Sequence, residues 1–346
     1  MNKLILPIIL LSGMLSALLV NIIKRLAIDF GFHDIPNQRK VHTEKIPTLG
    51  GIGLFGATWI TMIVLNAVGI IEADSSTLKL LSTSTLFFVI GLIDDVHGVS
   101  AKSKFMFQLL AGAFFFLWNR NDLAILFNNI IFTNATLTIL SAVLFATVIN
   151  GINFVDGLDG LCGGVSFILS SVLLFFSVLT GKAYLVFLTL SLMGALGGFL
   201  VFNFYPAKIF MGDTGSLFLG SMFSMMIMLL SYHLTESWYA FIVLFTYPFL
   251  DLVLSVVRRV IARRPLFAPD KNHIHHILMG GRTKHNTVVL LIYGINIIFA
   301  AFSVLSFLFP SPAVFVLYGI FTAMIFVYSL LKMLKNYRRI EDASGE

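Results

Sequence analysis

The chain has 346 residues, of which 58% are hydrophobic and only 12% charged, with a formal net charge of +6. A soluble domain carries about 25% charged residues, so this composition excludes an ordinary soluble fold and points to an integral membrane protein built of spanning helices. A single cysteine, Cys162, excludes an internal disulfide and a multi-cysteine metal centre.

Apolar runs long enough to span a bilayer fall at 4–23, 49–71, 77–93, 105–118, 135–150, 163–180, 183–202, 216–232, 238–257, 287–308 and 312–331. They predict an all-α membrane bundle of about eleven helices, with residues 1–346 as one polytopic domain. The first run is too long for a signal-peptide core and lacks a clear cleavage site, so it reads as a retained span. An odd number of spans sets the chain ends on opposite sides. The gaps 24–48, 94–104, 150–162, 203–215 and 258–286 then share one side with the C-terminal tail. Of the 23 Lys and Arg residues, all but Lys3, Lys79, Arg120 and Lys182 lie there. By the positive-inside rule this side is cytoplasmic and the N-terminus external. The basic balance needs no nucleic acid to explain it. The outer gap 119–134 reads as a small amphipathic hairpin or a loop.

The residues that carry chemistry gather on the same side. Asp34, Asp94, Asp95, Asp156, Asp159, Asp213, Asp270, His273, His275 and His276 all fall in its gaps, whereas the outer loops hold Glu72, Asp74, Asp122 and Glu236 singly. A transporter is expected to set ionisable groups near the bilayer midplane. Acids at one membrane face suit an enzyme that joins a water-soluble substrate to a lipid.

The third cytoplasmic loop, NGINFVDGLDGL, places Asn150, Asn153, Asp156 and Asp159 three apart. If the preceding helix continues, that spacing keeps them on one face. Two amides and two carboxylates suit a hard cation or a polar ligand; a polar connecting loop is the alternative. In the first loop, Arg39, Lys40, His42 and Lys45 precede Gly50 and Gly51, as an anion dock or as positive-inside charge. In the second, Asp94 and Asp95 precede Lys102 and Lys104. Adjacent carboxylates can orient a metal-bound phosphate or accept a proton, or they form a helix end with a neutralised charge pair. The fourth carries GDTGS, whose glycines let backbone approach a phosphate at a helix start, with Asp213 or Thr214 as helix cap. The fifth places Arg258, Arg259, Arg263 and Arg264 before Asp270 and the motif HIHH. That His spacing suits no common zinc site; hydrogen bonds to sugar and phosphate fit better. Asp251, about two turns before Arg258, reads as a partner for a loop arginine, with a site residue as the alternative.

Taken together, DD, NxxNxxDGxDGL, GDTGS and HxHH, in order over nearly the whole chain, resemble the polyprenyl-phosphate N-acetylhexosamine-1-phosphate transferase family. The likeness is closest to the bacterial branch that makes undecaprenyl-diphosphate-GlcNAc. His97 and Gly98 after the acidic pair, and HIHH itself, depart from the pattern of the phospho-MurNAc-pentapeptide branch. The resemblance implies a multi-pass protein of the bacterial cytoplasmic membrane with a cytoplasmic active-site cleft, open to the bilayer for a prenyl tail. It implies transfer of GlcNAc-1-phosphate from UDP-GlcNAc to undecaprenyl phosphate with release of UMP, priming O-antigen, teichoic acid or similar glycans. Mg²⁺, or Mn²⁺, is the implied cofactor and a homodimer the implied assembly.

By the same resemblance Asp213 and Asn153 are metal ligands, and Asp94, Asp95, Asp156 and Asp159 are the candidate catalytic carboxylates, with Asp159 also recognising uracil. Lys104 contacts phosphate. His273, His275, His276 and Arg264 hold diphosphate and sugar, with Arg39 and His42 as further anion contacts. Asp94 is often cast as the base that deprotonates the lipid phosphate. A phosphomonoester has its second pKa near about 6, so much of it is already dianionic at neutral pH. Positioning the lipid phosphate or ordering Lys104 is then the better role for Asp94 and Asp95.

Overall fold

The structure, a computed structural model, describes residues 2–34, 46–72, 74–119, 134–234, 238–265, 273–279 and 283–344. Arg39, His42, Asp270 and the body of the expected outer hairpin lie outside the described residues. Thirteen helices are described: α1 (Asn2–Asp29), α2 (Gly51–Ala67), α3 (Ser75–His97), α4 (Ala101–Trp118), α5 (Asn134–Val155), α6 (Leu161–Thr180), α7 (Ala183–Asn203), α8 (Gly212–His233), α9 (Trp238–Leu244), α10 (Thr246–Ile261), α11 (Ile274–Met279), α12 (His285–Leu308) and α13 (Pro312–Ser344). Every expected span falls on a helix. Among the described residues, eight helices are long and apolar enough to cross a membrane, and nine if α9 and α10, bent by 66° at Phe245, count as one span. The two expected spans outside that set are α2, with 17 residues, and α4, whose first turn carries Lys102 and Lys104.

The chain divides into two compact units, Met1–Trp238 and Tyr239–Glu346. The core of the first is α8, whose apolar window is 94% buried. Helices α2, α3, α5 and α6 surround it. Glycines set how closely they approach. A Cβ on Gly51 would strike the backbone of Gly215, and one on Gly91 the backbone of Asp213 and Thr214. The α1–α7 pair uses the same device with Gly13, Gly194 and Gly198. There Ser12 and Ser16 donate to the carbonyls of Ser191 and Ala195 at 2.6 and 2.7 Å, as small-residue packing in membranes commonly does.

The N-terminal ends of α2 and α8 are stitched side by side. Phe210 N–H donates to Pro47 O, Gly50 N–H to Phe210 O and Gly51 N–H to Met211 O, each at 2.9 Å. Just before this strap, β1 (His33–Asp34) and β2 (Ile46–Pro47) form a short antiparallel pairing. Helix starts are also fixed by side chains: Asp74 Oδ1 accepts from Thr77 N–H at 2.8 Å to begin α3, and Ser100 Oγ accepts from Ser103 N–H at 3.1 Å to begin α4. In the second unit α10 buries Tyr247, Asp251, Leu254, Ser255 and Arg258 along one face, and α11, α12 and α13 complete that core.

Candidate active site

Four helix ends of the first unit meet at one polar cluster: the end of α3, the start of α4, the end of α5 and the start of α8. The acidic pair divides its labour. Asp94 Oδ1 accepts from Val99 N–H at 2.5 Å, closing the turn at Gly98, where φ is +75°. Its Oδ2 accepts from Lys104 Nζ. Asp95 points to α8 instead: Oδ1 accepts from Asp213 N–H at 2.8 Å, and Oδ2 from Thr214 N–H at 2.9 Å and Thr214 Oγ1 at 2.5 Å. Helix starts leave N–H groups without intrahelical partners. The expected cap, Asp213 or Thr214, is replaced by a carboxylate from α3. Gly212 is required there, since its φ is +73° and a Cβ would lie on the Asp95 carboxylate.

Asp213 is the centre of the cluster. Its Oδ2 accepts from Lys104 Nζ at 2.7 Å and its Oδ1 from Asn153 Nδ2 at 2.6 Å. Asn153 Nδ2 also reaches Ser216 Oγ at 2.8 Å. The side chains of Asp213 and Lys104 remain 26% and 21% exposed, against 8% for Asp94. The first two can therefore meet a solute, while Asp94 stands behind them.

The four evenly spaced polar residues do not converge as a continued helix would have them. Helix α5 stops at Val155, so Asn150 and Asn153 lie on it and Asp156 and Asp159 lie in the turn beyond. Asn150 Nδ2 turns to Gln108 Oε1 at 2.5 Å and Ala146 O at 2.7 Å, whereas Asn153 reaches Asp213. Burial, then the charges of Asp213, Asp95 and Asp159, push the Asp156 carboxyl up to about 8. Asp159 Oδ2 accepts from Ala207 N–H at 2.9 Å, and Asn203 Oδ1 accepts from Gly160 N–H at 3.0 Å. The first ties this turn to the loop before α8 and the second to the end of α7. Sequence reasoning passed over Ser216, Asn203 and Gln108. Ser216 was legible as the last residue of GDTGS; Gln108 and Asn203 stood out only as polar residues at helix positions facing apolar neighbours.

In the second unit the histidines separate. His275 is 1% exposed, and among the described residues neither of its ring nitrogens has a hydrogen-bond partner. Burial, together with neighbouring His276, holds its pKa down to about 3. It is a neutral, packed ring. His273 and His276 are half-buried. Arg264 lies exposed beyond α10. Asp251 is 0% exposed. Instead of the expected arginine it engages α11, accepting from His273 Nδ1 at 3.1 Å and Ile274 N–H at 2.8 Å.

The donor set suits a hard cation. Asp213 offers a carboxylate, and Asn153, whose Nδ2 here donates to Asp213, would offer its amide oxygen to a cation after a turn of the amide; Lys104 Nζ already sits between two carboxylates. Among the described residues no group of three or more His, Cys, Asp or Glu side chains could by itself hold a metal ion. Mg²⁺ takes one or two carboxylates and completes its shell with water and substrate oxygens.

The family model for glycosyl transferase family 4 matches residues 77–231, from α3 to α8, and so covers the whole acidic cluster. The chain is 35% identical over 304 residues to a probable undecaprenyl-phosphate N-acetylglucosaminyl 1-phosphate transferase of Bacillus subtilis (strain 168), with 83% of this chain and 81% of that protein covered. It is 31% identical to a decaprenyl-phosphate N-acetylglucosaminephosphotransferase of Mycobacterium tuberculosis (strain ATCC 25618 / H37Rv), covering 78% and 74%. It is likewise 31% identical to a phospho-N-acetylmuramoyl-pentapeptide-transferase of Carboxydothermus hydrogenoformans, covering 73% and 82%.

Proposed function

Because the chain belongs to glycosyl transferase family 4, we propose that it transfers GlcNAc-1-phosphate from UDP-GlcNAc to undecaprenyl phosphate and releases UMP. An oxygen of the lipid phosphate attacks the β-phosphorus of the nucleotide sugar. The bond from that phosphorus to the bridging oxygen breaks, and UMP carries the bridging oxygen away. The product is the lipid-linked sugar diphosphate that begins a cell-surface glycan such as teichoic acid or a lipopolysaccharide. The distribution of Lys and Arg supports a site on the cytoplasmic face of a bacterial inner membrane.

The observation that carries this reading is the shared ammonium of Lys104, bonded to Asp94 and Asp213 at once. Two phosphate anions must approach each other, and their repulsion is the main obstacle to the reaction. Lys104 is the fixed positive charge that offsets it. Asp94 holds Lys104 in place, Asp95 holds the start of α8, and Asp159 holds the loop before it. Asp213 and Asn153 would hold Mg²⁺, which when bound would neutralise diphosphate charge and polarise the phosphoryl group. Among the half-buried and exposed groups of the second unit, His273, His276 and Arg264 are the proposed contacts for the diphosphate sugar.

The test is UMP release by purified protein with undecaprenyl phosphate and Mg²⁺, supplied in parallel with UDP-GlcNAc, UDP-GalNAc and UDP-MurNAc-pentapeptide. The expected result is lipid-dependent release from UDP-GlcNAc, lost with EDTA. Release confined to another donor would overturn the sugar assignment, and activity unaffected by EDTA would overturn the metal.

A further inference from the structure

Helix α4 starts at the acidic cluster and α5 ends there, so the two run antiparallel, and they meet at successive levels. Far from the cluster the contact is steric. A Cβ on Gly112 would lie 2.7 Å from Phe145 Cβ and 2.9 Å from Ser141 O, and the rings of Phe115 and Phe145 are 5.6 Å apart. At the cluster, Lys104 of α4 and Asn153 of α5 reach the two oxygens of Asp213, at 2.7 and 2.6 Å. Between these levels lies an amide rung. Asn150 Nδ2 donates to Gln108 Oε1 at 2.5 Å and to Ala146 O at 2.7 Å, so the Asn150 amide is oriented by its own helix. Gln108 is four residues from Lys104, and Asn150 is three from Asn153. Each spacing keeps its pair on one helix face.

Gln108 is 2% exposed, and an amide so buried needs a partner. Its bond also supplies what the steric level lacks. Gly112 against Phe145 fixes how closely α4 and α5 approach, but close packing leaves sliding and rotation open. A hydrogen bond is directional and restrains both. Rotation matters one turn farther on, where Lys104 and Asn153 must address different oxygens of one carboxylate. Helix α5 ends two residues after Asn153, at Val155, where the last carbonyls have no intrahelical partner and the turn is free to loosen.

We propose that Gln108 is a positioning residue for the transfer reaction. Through Asn150 it fixes the last turn of α5 against the first turn of α4, so that Asn153 and Lys104 are presented together to Asp213 and to the substrate phosphates. This rests on the reading of the acidic cluster as the site of transfer.

The variant Gln108→Leu removes the acceptor, keeps the bulk and leaves no buried polar group on α4. The expected result is a fall of about tenfold in kcat, with KM for UDP-GlcNAc and for undecaprenyl phosphate near wild type and an unchanged thermal midpoint. Asn150→Ala breaks the same rung from the opposite helix and should show a similar kcat. The double variant should lose no more than either single one, because both remove one bond. A wild-type kcat in either variant would overturn the proposal, as would losses that multiply in the double variant. A midpoint that falls along with kcat in Gln108→Leu would make the rung a brace of the fold and overturn it too. Should that variant fail to fold, Asn150→Ala decides by the same criteria. Wild-type protein that releases no UMP from any donor would defeat the transfer reading itself, whereas active wild type beside an equally active Gln108→Leu defeats only the positioning role.

Discussion

The acidic cluster of the first unit and the histidine seat of the second bury ionisable groups in opposite ways. In the first, Asp94, Asp95 and Asp213 accept hydrogen bonds from Lys104, Asn153 and the backbone N–H groups of Val99, Asp213 and Thr214. Lys104 and Asp213 still reach solvent. In the second, Asp251 is paired, but His275 is packed as a neutral ring, its pKa held near about 3. One arrangement stores charge for use; the other discharges it for packing. Changes to the first should therefore be felt mainly in turnover, and changes to the second mainly in stability and binding.

The sharpest way to break that contrast is Asp213→Asn. It removes the charge that Lys104 and Asn153 share, and should cost at least about a hundredfold in kcat with little change in thermal midpoint, measured by UMP release and by unfolding in detergent. A large fall in midpoint would make Asp213 a structural residue. Asp94→Asn comes next, with about a tenfold or greater loss from a loosened Lys104. If Asp94 only orders Lys104, the pH–rate profile of the variant runs parallel to wild type; a loss that shrinks at higher pH would restore the base assignment. Asp95→Ala uncaps α8 and should lower stability by about 1–2 kcal/mol, visible as an earlier melting transition.

The pH dependence is the most diagnostic, because the two regions should slope in opposite directions with pH. The folded-state pKa of Asp156 lies above its ordinary 3.8, at about 8. Folded protein holds the extra proton between those values, and stability falls as pH rises through that window. His275 lies below its ordinary 6.5, at about 3. The unfolded chain takes up that proton first, and stability falls as pH drops through that lower window. Between pH 3.8 and 6.5 the two slopes oppose each other, so melting curves in metal-free buffer should show a net rise of stability with pH in Asp156→Asn and a net fall in His275→Gln. Unchanged slopes would show that neither residue is desolvated as described.

Apolar runs located every spanning candidate because burial in lipid demands long uninterrupted helices. The family resemblance set Asp94, Lys104, Asn153 and Asp213 in one site, and the structure joins them by hydrogen bonds. What the sequence concealed were partnerships across long separations. Nothing local marks Asp95 as the cap of a helix more than a hundred residues away, or distinguishes it from Asp94 beside it. The even spacing of Asn150 to Asp159 suggested one face, but the helix ends at Val155, and periodicity has no meaning beyond the last turn. In HIHH, adjacency hid the difference between a half-buried His276 and an enclosed His275, which is decided by how α11 packs in its unit, where it meets α12 and α13.

The glycines around the start of α8 have a bearing on inhibitor resistance. Gly51, Gly91 and Gly212 place bare backbone against backbone or against the Asp95 carboxylate, and any side chain there would displace the residues that serve the reaction. A compound bound beside the start of α8 would lean on packing that substitution at these glycines cannot reshape without disabling the enzyme. Escape would have to come from residues farther out, where a change in the compound could follow it.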